Sequence, residues 1–149
     1  MHYRYLEEPD FAELADLERR LLPGRPEHFY RCNPQALRYF TRSGHSFVAV
    51  EDGLHGFVLA QPVWQGDRAT VLVSRIAAAS DEACAGLLRT LVKSAYDANA
   101  YEVALLAGGD RSRLLRSAED AGFDATGQEL LVRVLGSRGA RGEKSGVLE

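Results

Sequence analysis

Ala69-Thr70-Val71-Leu72-Val73-Ser74-Arg75-Ile76, then Ser80, then the stripe Cys84, Leu87, Leu88, Leu91, Val92 and Ala95, then Asn99 and Tyr101-Glu102-Val103-Ala104-Leu105-Leu106: this passage decides the fold. The stripe repeats every three or four residues, which draws one buried face along a helix. Ser80 can cap that helix, and Asn99 can end it in the left-handed conformation. Strand, helix and strand in this order predict one parallel pair joined by a right-handed crossover.

Upstream lie Ser46-Phe47-Val48-Ala49-Val50-Glu51 and Leu54-His55-Gly56-Phe57-Val58-Leu59-Ala60, separated by Asp52-Gly53. Asp-Gly between two apolar runs is a strong hairpin signal, because both central residues of a type I′ turn need positive φ. A second turn at Gln65-Gly66-Asp67 leads into the run that begins at Ala69, so three consecutive antiparallel strands precede the crossover. Before them, Tyr3 and Tyr5 alternate with polar neighbours as in a short strand. Phe11, Leu14, Leu17, Leu21 and Leu22 form a helical stripe that Pro23-Gly24-Arg25-Pro26 stops. Asn33-Pro34 opens a second helix, which buries Leu37 and Phe40 and ends at Gly44.

Downstream, a fourth helix carries Leu114, Leu115 and Ala118 and closes at Gly122. A last strand is expected over Leu130 to Leu135, with room for a short one near Phe123. The predicted fold class is therefore α/β (α+β): a mixed, mainly antiparallel sheet with one parallel crossover and helices on both faces. Residues 1–135 form the expected domain, and the glycine- and arginine-containing stretch 136–149 a C-terminal tail.

Composition limits the partners. A chain of 149 residues suits one domain, and 46% hydrophobic with 26% charged residues is ordinary globular composition. A net charge of −3 with dispersed Lys and Arg gives no expectation of nucleic acid. No apolar run approaches the length of a membrane span, about 18 residues. Met1 to Glu8 hold no hydrophobic signal core, so the expected location is cytoplasmic. Cys32 and Cys84 share no metal-ligand spacing, and His2, His28, His45 and His55 form no HxH or HxxxH pair. No metal is expected.

This element order resembles the GNAT (N-acetyltransferase) superfamily over roughly residues 2 to 135, and Gly122-Phe123 matches the ending of that family's last helix. The segments Gly44-His45-Ser46-Phe47, Val63-Trp64-Gln65-Gly66, Lys93-Ser94-Ala95-Tyr96-Asp97 and Gly136-Ser137-Arg138-Gly139 are similar to a small family of uncharacterised bacterial proteins with a GNAT-like fold. The resemblance implies acyl transfer from acetyl-CoA, or another acyl-CoA, to a small-molecule amine. It further implies a cofactor site around Ser74, Arg75, Ile76 and Ser80, and a homodimer among the partners. No catalytic residue is assigned.

The chain departs from the superfamily where cofactor binding is usually decided. Aligning Leu87-Leu88 with the family's paired leucines puts Ala79-Ser80-Asp81-Glu82-Ala83-Cys84 where Arg-Gly-x-Gly-x-Gly is usual. A helix N-terminus favours anions, but two carboxylates in its first turn repel a pyrophosphate. The tyrosine that often protonates the thiolate falls at Ala118, and the family's asparagine at or beside Asp110 or Arg111. The alternative reading is a degenerate, non-catalytic module that binds another ligand or a protein.

Individual residues divide between chemistry and plain structure. Arg75 can grip a phosphate or carboxylate through its planar fork, or pair on the surface with Asp81 or Glu82. Ser80 reads first as a cap, and Ser74 as a filled strand position. His45 and His55 have the right intrinsic pKa for a general base, but no carboxylate is placed to orient either. Cys84 reads as a small hydrophobe on its helix's apolar face. Trp64, the only tryptophan, reads as a turn residue covering the end of the sheet. Arg138, Arg141 and Lys144 are diluted by Glu143 and Glu149, which favours a solvated segment.

Overall fold

The computed structural model describes residues 1–24, 28–107 and 112–136. Strand β1 (His2–Tyr5) is followed by a 3₁₀ turn (Glu8–Asp10), α1 (Phe11–Leu21) and α2 (Pro34–Thr41). Then come β2 (Phe47–Val50), β3 (Leu54–Gln65), β4 (Arg68–Ala78), α3 (Asp81–Asp97), β5 (Glu102–Leu105) and α4 (Ser112–Asp120). The five strands form one sheet in the order β1-β2-β3-β4-β5, all antiparallel except for the parallel pair β4–β5.

The punctuation read from the sequence works as chemistry. Asn33 caps α2 by accepting from the Ala36 amide at 2.9 Å, and Pro34 takes the first helical position, where no amide partner is needed. Asp52 and Gly53 both have positive φ, +52° and +110°, and carry the chain from β2 into β3. Ser80 caps α3, and Asn99 ends it at φ +61°. The amide of Ala100 returns to the Ala95 carbonyl at 2.9 Å, which closes the last turn.

Two layers of helix sandwich the sheet. On one face, Leu14, Leu17, Leu37 and Phe40 of α1 and α2 pack on Val48, Phe57 and Leu59. On the other, Ala83, Leu87, Leu91 and Ala95 of α3 pack on Ala49, Val58, Ala60, Val71 and Val73. Cys84 and Leu88 then join α3 to Ala118 and Leu114 of α4. Gly86 has no side chain because the Tyr3 ring occupies that place: a Cβ there would lie 1.9 Å from it. The Tyr3 hydroxyl donates to the Glu82 carbonyl at 3.0 Å, which ties β1 to α3.

Three expectations need correction. Residues Leu130 to Leu135 form no strand, nor does the stretch at Phe123; the chain from Asp124 to Gly136 has no regular structure beyond a bend. Its alternation signals a capacity to be buried, and within this chain no strand pairs with it among the described residues. Trp64 is not in a turn. It lies inside β3, paired with Ala69, and is 65% exposed, because β3 runs on to Gln65 and the two-residue turn falls at Gly66-Asp67. The expected tail, with Arg138, Arg141 and Lys144, lies outside the described residues beyond Gly136, as do the Asp110 and Arg111 positions.

Candidate functional site

The site begins with a fault in the β3–β4 ladder. Leu59 pairs with Arg75 but Ala60 pairs with Val73, so Ser74 is an extra residue, a bulge in β4. On the other side of β4, the parallel register with β5 runs from Thr70↔Glu102 to Val73↔Leu105 and stops there. Beyond Val73, β4 continues from Ser74 to Ala78 with β3 as its only strand partner among the described residues. The bulge therefore sits where two parallel strands part, and beyond it one edge of β4 has no strand partner among the described residues.

The bulge also turns Arg75 over. Strict alternation would place Arg75 on the α3 face with Val71 and Val73; one extra residue moves it to the α1 face beside Leu59. There its Nε donates to Glu18 Oε1 at 2.8 Å, and the guanidinium carbon lies 5.2 Å from the Tyr30 ring centroid. The Tyr30 hydroxyl donates to Glu18 Oε2 at 2.9 Å. Burial, then Cys32 and Glu18, push the Tyr30 hydroxyl far above its ordinary pKa, so it remains a donor. The surface pairing expected with Asp81 or Glu82 does not form, because the bulge puts the side chain on the other face of the sheet. Ile76, back on the α3 face, packs against that helix's core.

Ser80 lies just past the end of β4, as the N-cap of α3. Its hydroxyl accepts from the Ala83 amide at 3.1 Å, and its carbonyl accepts from the Cys84 amide at 3.0 Å. Asp81 and Glu82 are both exposed in the first turn. Arg113 of α4 changes the local charge: Nε pairs with Asp81 Oδ1 at 2.9 Å, and its guanidinium donates to the Ala78 carbonyl at 2.9 Å. Arg113 was not singled out from the sequence. No local pattern links an arginine at the start of α4 to the first turn of α3.

Ser74 also connects to the opposite face. Gln61 Nε2 donates to Ser74 Oγ at 3.4 Å, and Tyr39 donates to Gln61 Oε1 at 2.6 Å. Gln61 and Tyr39 line a hollow of about 300 Å³ with Phe29, Tyr30 and Phe40. Phe29 holds φ +63°, an unusual backbone for a bulky residue, and keeps its ring half exposed at the rim.

The histidines stand elsewhere. Ser94 donates to the Gly44 carbonyl at 3.0 Å, so the 2.7 Å contact between its Oγ and His45 Nδ1 requires the proton on Nδ1. Burial lowers the His45 pKa. His55 Nε2 donates to the Glu51 carbonyl at 2.6 Å. Cys84 is buried, and burial raises its thiol pKa, as expected of a packed hydrophobe. No group of three or more metal-ligating side chains occurs among the described residues. No helix there is long and apolar enough to cross a membrane.

The five-stranded, mainly antiparallel sheet with one parallel pair and helices on both faces is a GNAT-like fold. The chain superposes on a putative acetyltransferase from Agrobacterium tumefaciens with a TM-score of 0.73 at 19% identity, covering 90% of this chain and 100% of that one. An aminoglycoside 6′-N-acetyltransferase from Acinetobacter baumannii matches with a TM-score of 0.67 at 14% identity, covering 89% and 97%. The chain belongs to the family described as protein of unknown function DUF1999, which matches residues 1–146. TTHA1254 from Thermus thermophilus is 47% identical, covering 93% of this chain and 100% of its own, with a TM-score of 0.77 for the wild type. No curated protein matches the chain in sequence.

Proposed function

We propose that this protein binds an acyl-CoA in the opening between β4 and β5 and transfers its acyl group to a small-molecule amine. The observation that carries this reading is the parting of the strands at the Ser74 bulge. Backbone groups of Ser74, Arg75 and Ile76 border the opening and can take an extended amide-bearing arm as a further strand would be taken, without particular side chains. Ser80 and the first amides of α3 face the anionic end, and Arg113 offsets the charge of Asp81 beside it. The aromatic hollow, reached from Ser74 through Gln61, is the acceptor side.

In the transfer, the amine nitrogen attacks the thioester carbonyl, a C–N bond forms, and the C–S bond breaks. The sulfur leaves as thiolate and is protonated by water, and water takes the ammonium proton. Ala118 stands where a tyrosine would serve as the acid and is 4% exposed. That residue, with the absence of glycine from Ala79 to Cys84, favours the second reading, a non-catalytic module in the same fold.

Thermal unfolding with millimolar acetyl-CoA tests the first reading. A ligand at about 100 times its Kd stabilises the native state by about 2.7 kcal/mol. A rise in melting temperature that desulfo-CoA reproduces and adenosine does not supports binding in the opening. An unchanged melting temperature rejects it in favour of the second reading.

A further inference from the structure

We propose that the hollow between α2 and β3 is a binding site for an aromatic amino acid, held by ring contacts and by its carboxylate on Arg31. That this ligand's amine is the acyl acceptor rests on the reading above; the binding itself does not. Phe29, Tyr30, Tyr39 and Phe40 bring four rings to a space of about 300 Å³. This is the lower end of the range for small-molecule sites, about 300–1,000 Å³, and suits a ligand with one ring system. Tyr39 meets Phe40 edge to face with centroids 5.4 Å apart, and the Tyr30 and Phe40 centroids are 6.4 Å apart. Such walls accept a further ring in the same offset or edgewise geometries.

Two of these rings are not used up by the core, since Phe29 and Tyr39 are 53% and 52% exposed. Phe29 also holds φ +63°, a left-handed backbone that a bulky residue adopts only at a cost. Glycine would sit there without strain, so what the phenylalanine adds at this position is its ring at the rim.

The charges of the hollow fix the rest of the ligand. Among the described residues, Arg31 is the one charged side chain that lines it, and no carboxylate pairs with it. Glu18, which the Tyr30 hydroxyl reaches, has both oxygens engaged: Oε1 accepts from Arg75 Nε and Oε2 from that hydroxyl. An exposed guanidinium without a partner matches a carboxylate through two parallel hydrogen bonds. A polycation finds no anion in this lining. The side-chain acceptors offered to the ligand's amine are neutral ones, Gln61 Oε1 and the tyrosine hydroxyls. Neutral surroundings favour the uncharged amine, which is the form that attacks a thioester. Gln61 carries the contact onward to the bulge, since its Nε2 donates to Ser74 Oγ.

Isothermal titration calorimetry on the full chain tests the proposal with L-phenylalanine, L-tyrosine and L-tryptophan. The controls are phenethylamine, which lacks the carboxylate, and L-leucine, which lacks the ring. The tightest of the three aromatic amino acids is expected to exceed both controls by about tenfold or more. Arg31→Ala is expected to weaken that ligand about tenfold and to leave phenethylamine unchanged, a split that a merely structural arginine would not produce. Phe29→Gly is expected to weaken it while the melting temperature stays level or rises, because glycine is at ease at that φ. Equal affinity for phenethylamine, or an Arg31→Ala variant that binds the amino acid like the parent, overturns the proposal. So does a protein that acetyl-CoA stabilises and that binds none of the three at millimolar concentration; the acyl-CoA reading then stands alone. An aromatic amino acid bound by a protein indifferent to acetyl-CoA upholds the site and confines the failure to the transfer reading.

Discussion

Arg75 and Glu18 form the most buried salt bridge among the described residues. Their exposures are 12% and 9%, and they join β4 to α1 across the sheet face. Removing one partner of a buried pair leaves the other charged and desolvated, at a cost of about 3–5 kcal/mol. Arg75→Ala is therefore expected to lower stability by that order, and the double variant with Glu18→Ala to lose less than the sum of the singles. Additive losses in denaturant titrations would mean that the pair does not couple. The sequence shows an arginine at a strand end but not its direction, because alternation holds only until the bulge at Ser74, and bulges leave no reliable residue signature. His45 gives the second prediction at this scale. Burial holds its pKa below 6.5, so the unfolded chain takes up a proton before the native one does. Its stabilising contribution is full above about pH 6.5 and is lost as pH falls through the depressed native value. His45→Gln should flatten the melting temperature between about pH 7 and pH 5; an equally steep profile would assign that loss to other groups.

At the level of the element, α3 was the most legible part of the chain. Its stripe is long enough that only one face can be buried, and Leu87, Leu88 and Leu91 are completely enclosed. Leu91→Ala is expected to cost about 2–5 kcal/mol, read from chemical denaturation; a loss below that range would mean the cavity collapses on its neighbours. The same helix offers a test at its N-terminus. Asp81→Asn with Glu82→Gln removes two exposed carboxylates and releases Arg113, so acetyl-CoA should bind more tightly than to the parent, as calorimetry would show. Equal affinities would mean that the first turn does not meet the ligand. The Leu130–Leu135 run failed as a strand reading for a different reason. Periodicity reports that a segment can be half buried, but its neighbour in space is set by distant chain that no local window contains.

Across the whole molecule, chain order and sheet order coincide, with each strand beside its successor from β1 to β5. This made the architecture readable: two short turns and one helix account for every junction from β2 to β5. The candidate site was less readable because it is made by a loss of pairing rather than by a motif, and because its charges come from α1, α3 and α4 together.

The coincidence of chain order and sheet order has a consequence for the order of assembly. The β2–β3 and β3–β4 hairpins close short loops, Glu51-Asp52-Gly53 and Gly66-Asp67, whereas β5 can join β4 only after the whole of α3 has been laid down between them. Loop closure costs more entropy as the loop lengthens, so the β3–β4 ribbon forms early and β5 docks late. The parallel junction, four residue pairs against ten in the β3–β4 ladder, is then expected to open before that ribbon does. Native-state hydrogen exchange should find β5 amides exchanging well before those of Phe57–Leu59. Should both exchange together, the sheet opens as one cooperative unit. If β5 does lead, the sheet breathes at the strand that borders the proposed cleft, so the seam that gives way before the β3–β4 ribbon is also the one through which the proposed ligand would enter.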